Sequence, residues 1–294
     1  STITIIDSEI SGNTASDSGG GIYIYTDVTA TISNTIITNN TSDSNGGGIY
    51  IDDGSNVTIT DSDISGNDAV DYGGGIYIYD GATVTINSST ISDNETTGDY
   101  GGGIYNSGTL EVTNTTISGN IAGEDGGGIY NNGTATVTAS TISGNTATTD
   151  VGGGLYNSGT FTLINSTISG NEAATNGGGI YNSSTFTITN STIYDNTATG
   201  NGGGIYNNST LDINNTIVTG NTDSGAGPDV YDDGTITSNG FNIIGDTTGT
   251  SAFDTTTDIT GVVATDVIDT TLALNDAPAG SPLTHALIPG GPAM

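Results

Sequence analysis

Gly126-Gly127-Gly128-Ile129-Tyr130 is the stretch that decides the fold, because it recurs along most of the chain. The same five residues, or a close variant, begin at Gly19, Gly46, Gly73, Gly101, Gly152, Gly177 and Gly202. A degenerate copy follows, Gly227-Pro228-Asp229-Val230-Tyr231. The spacing is about 25 to 28 residues, inside the window of solenoids, propellers and arrays.

Working outward from the glycines, the repeat from Gly101 to Asn120 is representative. Gly-Gly-Gly-Ile-Tyr-Asn leads through a Ser-Gly turn into Leu110-Glu111-Val112-Thr113-Asn114, then Thr116-Ile117-Ser118-Gly119-Asn120. A variable polar loop from Ile121 to Asp125 reaches the next glycines. Leu110 and Val112 alternate with polar residues, as do Val57 and Ile59, Val84 and Ile86, and Phe186 and Ile188. That is the period of a half-buried strand, and no repeat carries a helical stripe. Each repeat therefore predicts three short strands, around Gly-Ile-Tyr, Val-Thr-Ile and Thr-Ile-Ser, joined by turns rich in Gly, Asn, Asp and Ser. Stacked in parallel, such repeats make an all-β right-handed parallel β-helix of about nine turns, roughly 40 Å long. A lone turn cannot offset the entropy of ordering its backbone, whereas a stack shares one continuous core.

Three columns follow from the stacking. Asparagines recur at Asn13, Asn40, Asn67, Asn94, Asn120, Asn145, Asn171, Asn196 and Asn221, usually after a Gly, and are expected to form an amide ladder. Tyrosines recur at Tyr23, Tyr50, Tyr77, Tyr105, Tyr130, Tyr156, Tyr181, Tyr206 and Tyr231. If Ile22 and its equivalents point inward, these rings point outward, either to stiffen the sheet by stacking or to form a contact stripe for glycans or another protomer. A third column, Asn106, Asn131, Asn157, Asn182 and Asn207, follows the tyrosines, with Ile24, Ile51 and Ile78 in its place in the first turns.

Composition narrows the partners. The 294 residues include 32 acidic side chains, no Lys or Arg and one His, a net charge of −32. Nucleic acid and anionic membrane surfaces are bound chiefly through Lys and Arg, so neither is an expected partner. Repulsion must be relieved by spacing, salt or bound cations. The absence of Cys excludes disulfides and thiol chemistry. No apolar run reaches the length of a membrane span, and the given residues show no signal-peptide pattern. The first residues, Ser1-Thr2-Ile3-Thr4-Ile5, already lie in the repeat pattern, so a processed or trimmed start is expected, with an open strand edge at Thr2 to Ile6. Residues 1–231 form the repeats; residues 232–294 lose the period and are expected to cap the stack or serve assembly. Strands are expected there at Phe241 to Ile244, Ile259 to Val263 and Val267 to Leu274.

Gly-Gly-Gly-Ile paired with Ile-Ser-Gly-Asn resembles the repeats of polymorphic outer-membrane proteins and, more broadly, of bacterial surface right-handed β-helix proteins. Asn239-Gly240-Phe241-Asn242-Ile243-Ile244-Gly245-Asp246 and Leu283-Thr284-His285-Ala286-Leu287-Ile288-Pro289-Gly290-Gly291-Pro292-Ala293 resemble the closing segment of the choice-of-anchor subgroup. The spacer before Leu283 is shorter than that resemblance implies. The resemblance implies an extracellular or cell-surface location. Lyases on this fold usually take their base from Lys or Arg, and this chain has neither.

Other chemistry is thin. Asp61 and Asp63, or Asp232 and Asp233, are close enough in sequence to suggest a glycosidase-like pair, although neighbouring acids in an acidic chain are mostly solvated. His285 is the sole imidazole, so a triad or multi-His site is unsupported. Calcium is the most plausible ligand, with carboxylates in Asp43-Ser44-Asn45 and Glu124-Asp125, although the calcium-binding nonapeptide of other β-helices is absent and diffuse cation screening is expected ahead of an ordered site. Asn56, Asn114, Asn165 and Asn208 lie in Asn-x-Ser/Thr matches, a weak glycosylation signal. Thr58 with Thr60, Thr136 with Thr138 and Thr187 with Thr189 outline a flat threonine face like that of ice-binding solenoids, interrupted by Glu111 and Asp212. The expected function is a non-catalytic, extracellular structural or adhesive solenoid, without cofactor, that self-associates head to tail into a filament or surface layer. The alternatives are a carbohydrate-binding or polysaccharide-cleaving module, or a passenger piece of a larger adhesin.

Overall fold

The structure, a computed structural model, describes residues 1–253 and 256–268. Each of the first eight turns contributes four strands, one more than the apolar pattern predicts. In the turn that starts at Thr109 they are Thr109–Thr113, Thr116–Ser118, Ile121–Ala122 and Ile129–Asn131. The extra strand lies in the polar loop. It is only two residues long, and its inward position takes Ala69, Ala122, Ala147, Ala173 or Ala198, a corner where a small side chain fits. Two residues are too few for an alternation to show.

Every strand pairs in parallel with its counterparts one turn away. Val112 lies opposite Ile86 on one side and Val137 on the other. Among the described residues this gives four sheets. Sheet A holds ten strands, from Thr2–Ile6 to Thr235–Ser238, and sheet B eleven, from Glu9–Ser11 to Ile259–Thr260. Sheet C holds eight, from Thr14–Ala15 to Thr197–Ala198, and sheet D nine, from Ile22–Ile24 to Val230–Asp232. The chain is an all-β right-handed parallel β-helix of about nine turns.

One apolar core runs the length of the coil, from Ile24 to Ile244. Along one inward column of sheet A, Leu110, Ala135, Phe161 and Phe186 follow each other, so large and small side chains share the volume of adjacent turns. The two phenylalanine rings meet edge to face, 5.0 Å between centroids.

The glycine triplet is required twice over. Gly126 sits at φ 67°, a left-handed conformation that costs any residue with a Cβ. Gly127 and Gly128 face the next turn so closely that an added Cβ would lie 2.5 Å from the Gly153 carbonyl oxygen and 2.6 Å from that of Gly154. The residue before each ladder asparagine is left-handed as well, whether Gly144 at φ 65° or Asp93 at φ 55°.

The stack continues past Tyr231, since sheets A and B gain Thr235–Ser238, Ile243–Ile244 and Ile259–Thr260. The strand expected from Phe241 is shorter, because Phe241 itself turns left-handed at φ 61° and is exposed. The strand expected from Ile259 to Val263 ends at Thr260, since Gly261 turns left-handed. Ahead of Val267 the chain forms a 3₁₀ turn, Ala264–Asp266; Val267 and Ile268 are buried, and the rest of the strand expected to Leu274 lies outside the described residues.

Candidate functional site

The asparagine column is a continuous ladder with one direction. Asn120 Nδ2 donates to Asn145 Oδ1 at 2.9 Å, and Asn145 Nδ2 donates to Asn171 Oδ1 at 2.9 Å. The backbone N–H of each residue donates to the same oxygen, as at Asn120 N to Asn145 Oδ1, 3.0 Å. The second amide hydrogen goes to a carbonyl of the preceding turn, Ile91 for Asn120. From Asn40 to Asn221 these side chains are buried, and every donor has an acceptor.

A donor-to-acceptor chain must end on a group that only accepts, and Asp229 does so. It occupies the position of the third glycine in the degenerate copy Gly227-Pro228-Asp229. There its carboxylate reaches the slot that a further asparagine would fill. Asp229 Oδ1 accepts from Asn221 N at 3.0 Å and Nδ2 at 2.8 Å, and Oδ2 accepts from Asp246 N at 2.7 Å. Burial pushes its pKa up to about 6, against the opposing pull of these hydrogen bonds.

Two further polar columns lie inside the coil. Asn106, Asn131, Asn157, Asn182 and Asn207 are fully buried, in register with the inward Ile78. Their amides form a second ladder, Asn106 to Asn131 at 2.7 Å, which ends on Asp232 Oδ1, 2.8 Å from Asn207 Nδ2. The third is made of hydroxyls: Ser140 N donates to Ser166 Oγ at 3.1 Å, and Ser140 Oγ donates to the Thr138 carbonyl at 2.7 Å. It passes through Asn242 to Asp258 Oδ1, 3.1 Å away.

The nine tyrosines of the outward column are stacked, with centroids 4.6 to 5.4 Å apart and planes within 26°. Tyr72 and Tyr100 add a short second stack against Tyr105 and Tyr130. Tyr25 and Tyr79 lean on Tyr23 and Tyr77. Both faces of each interior ring are covered by neighbouring rings, so the column presents edges to solvent. A platform for sugar rings needs open faces, and the stacking leaves these only at the ends. Burial, then the neighbouring phenols, raises the pKa of Tyr77 and Tyr130 above the usual value.

The acidic pairs fall in separate settings. Asp61, left-handed at φ 50°, and Asp63 line an open cleft of about 640 Å³ with Asp7 and Glu9. Asp232 ends the second ladder, whereas Asp233 accepts a hydrogen bond from the Tyr206 hydroxyl at 2.7 Å. In the loop Glu124-Asp125, Asp125 accepts from Val151 N at 3.1 Å, and burial, then Asp150 and Glu124, pushes its pKa up to about 6. In Asp43-Ser44-Asn45, Ser44 Oγ donates to Asp71 Oδ2 at 3.2 Å. Among the described residues no three His, Cys, Asp or Glu are grouped to hold a metal ion. His285 lies outside the described residues.

Of the four Asn-x-Ser/Thr positions, Asn56 and Asn208 are exposed, while Asn114 and Asn165 occupy left-handed turns. The threonine face is the outer side of sheet A, where Thr136 and Thr162 are in register and Glu111 and Asp212 interrupt the same column.

A coil of four parallel sheets, closed by inward ladders and repeated turn on turn, defines a β-solenoid. The family model for the right-handed β-helix region matches residues 1–123 and 75–247, and the chain belongs to that family. The family includes polysaccharide-cleaving enzymes and non-enzymes. No curated protein and no solved structure matches the chain.

Proposed function

We propose that the chain is a non-catalytic structural or adhesive rod that works outside the cell or at its surface and joins end to end with other copies of itself. The observation that carries this reading is periodicity. The polar ladders and the tyrosine column pass from turn to turn, so the ordered groups engage one another rather than gather around a reactive centre. Sheet A supplies the joint. Among the described residues Thr2–Ile6 and Thr235–Ser238 each pair on one side only, and the two edges run in the same direction. Adding one copy's first strand to another's last would continue the sheet in parallel. Such a contact is heterologous and does not close, so it propagates as a filament or layer. The net charge of −32 opposes it, and cations, calcium among them, would favour it by screening.

Sedimentation and negative-stain microscopy of the purified chain, at physiological salt with and without calcium, test the proposal. Filaments or a ladder of oligomers support it. A monomer under every condition refutes the end-to-end joint.

A further inference from the structure

With no Cys or Trp, one Met and 14 Tyr, the chain holds nearly all its one-electron redox chemistry in phenols. The outward column and its four flanking tyrosines form one connected set of ring contacts, 4.5 to 6.4 Å between centroids. Electron transfer weakens exponentially with separation, and rings stacked in contact are the arrangement in which it is fast. Stacking alone does not stabilise an oxidised tyrosine, because a phenol that loses an electron must also lose its proton. The phenol pKa lies far above neutrality, and at Tyr206 burial, then the Asp233 carboxylate, raises it further, so the proton leaves only with the electron. Tyr206 has the partner this requires: its hydroxyl donates to Asp233 Oδ2 at 2.7 Å. At the other end Tyr25 is 70% exposed and its ring lies 4.5 Å from Tyr23.

We propose that the tyrosine column is a one-electron relay that carries an oxidising equivalent along the rod from Tyr25 to Tyr206. A one-electron oxidant in solution or on a partner accepts an electron at Tyr25. Each ring releases its phenolic proton to solvent as it is oxidised and takes one back as its neighbour towards Tyr206 refills it, so the rings in between end unchanged. Tyr206 gives up the electron, and its phenolic proton moves to Asp233. The products are a neutral Tyr206 phenoxyl, a protonated Asp233 and an oxidant reduced by one electron. A one-electron donor and return of the proton restore the start. The proposal does not rest on the structural role above.

Between Tyr130 and Tyr206 the column runs single file, so it can be cut there. Among the described ring contacts Tyr156 is what joins Tyr130, at 4.7 Å, to Tyr181, at 5.4 Å. Because the chain has no cysteine, Thr26→Cys gives one attachment point for a ruthenium photosensitiser beside Tyr25. Flash oxidation with a sacrificial electron acceptor, followed by spin trapping and peptide mapping, locates the radical. The expected result is a trapped radical at Tyr206 whose yield does not change on dilution. Tyr156→Phe keeps a ring in the stack and is expected to lose the Tyr206 adduct while retaining those up to Tyr130. Asp233→Asn is expected to lose it with the column intact. Circular dichroism confirms that each variant is folded. An unchanged Tyr206 adduct in folded Tyr156→Phe, or adducts confined to Tyr23 and Tyr25 in the parent, overturns the relay.

Discussion

Replacing Asn145 by Ala tests whether the buried ladder holds the coil together. Asn145 Oδ1 accepts from Asn120 N and Nδ2, and its own Nδ2 donates to Asn171 Oδ1 and the Ile117 carbonyl. Truncation strands two donors in the dry interior, the Asn120 N–H and one Asn120 amide hydrogen. An orphaned buried donor costs about 1–3 kcal/mol, so the variant should lose about 2–6 kcal/mol. Asn13→Ala is the control. Asn13 lies at the exposed start of the ladder, and the change removes one bond, Nδ2 to Asn40 Oδ1, while its backbone N–H keeps that acceptor. Its cost should be at most about 1 kcal/mol. Asn145→Asp should be at least as damaging as the alanine, because it keeps both acceptances but sets a buried carboxylate oxygen against Asn171 Oδ1. Repeat arrays can open locally, so the readout pairs the urea midpoint with hydrogen exchange at the Asn120 amide. If Asn145→Ala proves as mild as Asn13→Ala, the ladder is not what stabilises the turns.

The glycines differ in a way that mutagenesis can separate. Gly128→Ala must drive a Cβ towards the Gly154 carbonyl and should prevent folding or lower the midpoint sharply, while Gly144→Ala meets only Gly119 N at 3.9 Å and should cost about 1–2 kcal/mol from its left-handed φ. Equal melting temperatures for the two would remove close stacking as the reason for the triplet. Stability should fall as pH rises. Asp125 and Asp229 go from 3.8 to about 6 on folding, so the folded state holds their protons more tightly and is favoured below about pH 4. That contribution disappears as pH climbs through about 6. A urea midpoint higher at pH 5 than at pH 7 is expected; the reverse order contradicts the assignment.

How much the sequence reveals depends on how each element repeats. The Gly-Gly-Gly-Ile-Tyr and Ile-Ser-Gly-Asn recurrences make the coil legible, because each turn must present the same group to the next. The fourth strand is hidden since Ile121–Ala122 is too short for alternation to register. The inward set of Asn106 can be read in hindsight from Ile24, Ile51 and Ile78, which share its column and belong in a core. The hydroxyl column stays hidden because Ser140 and Ser166 look like ordinary turn residues. The roles of Asp229, Asp258 and Asp232, the last noticed only as a neighbour of Asp233, stay hidden for the opposite reason: they matter where the repeat stops, and a periodic reading discounts whatever breaks the period.

Because every ladder amide passes its hydrogens one way and the last acceptor is an aspartate, the two ends of the coil are chemically unlike and its middle is interchangeable. A gene duplication that inserts one whole turn between Asn120 and Asn145 leaves both ends unaltered and every interior group matched. A fractional insertion breaks the sheets and ladders together. Selection can therefore set this rod's length in whole-turn increments without redesigning either terminus.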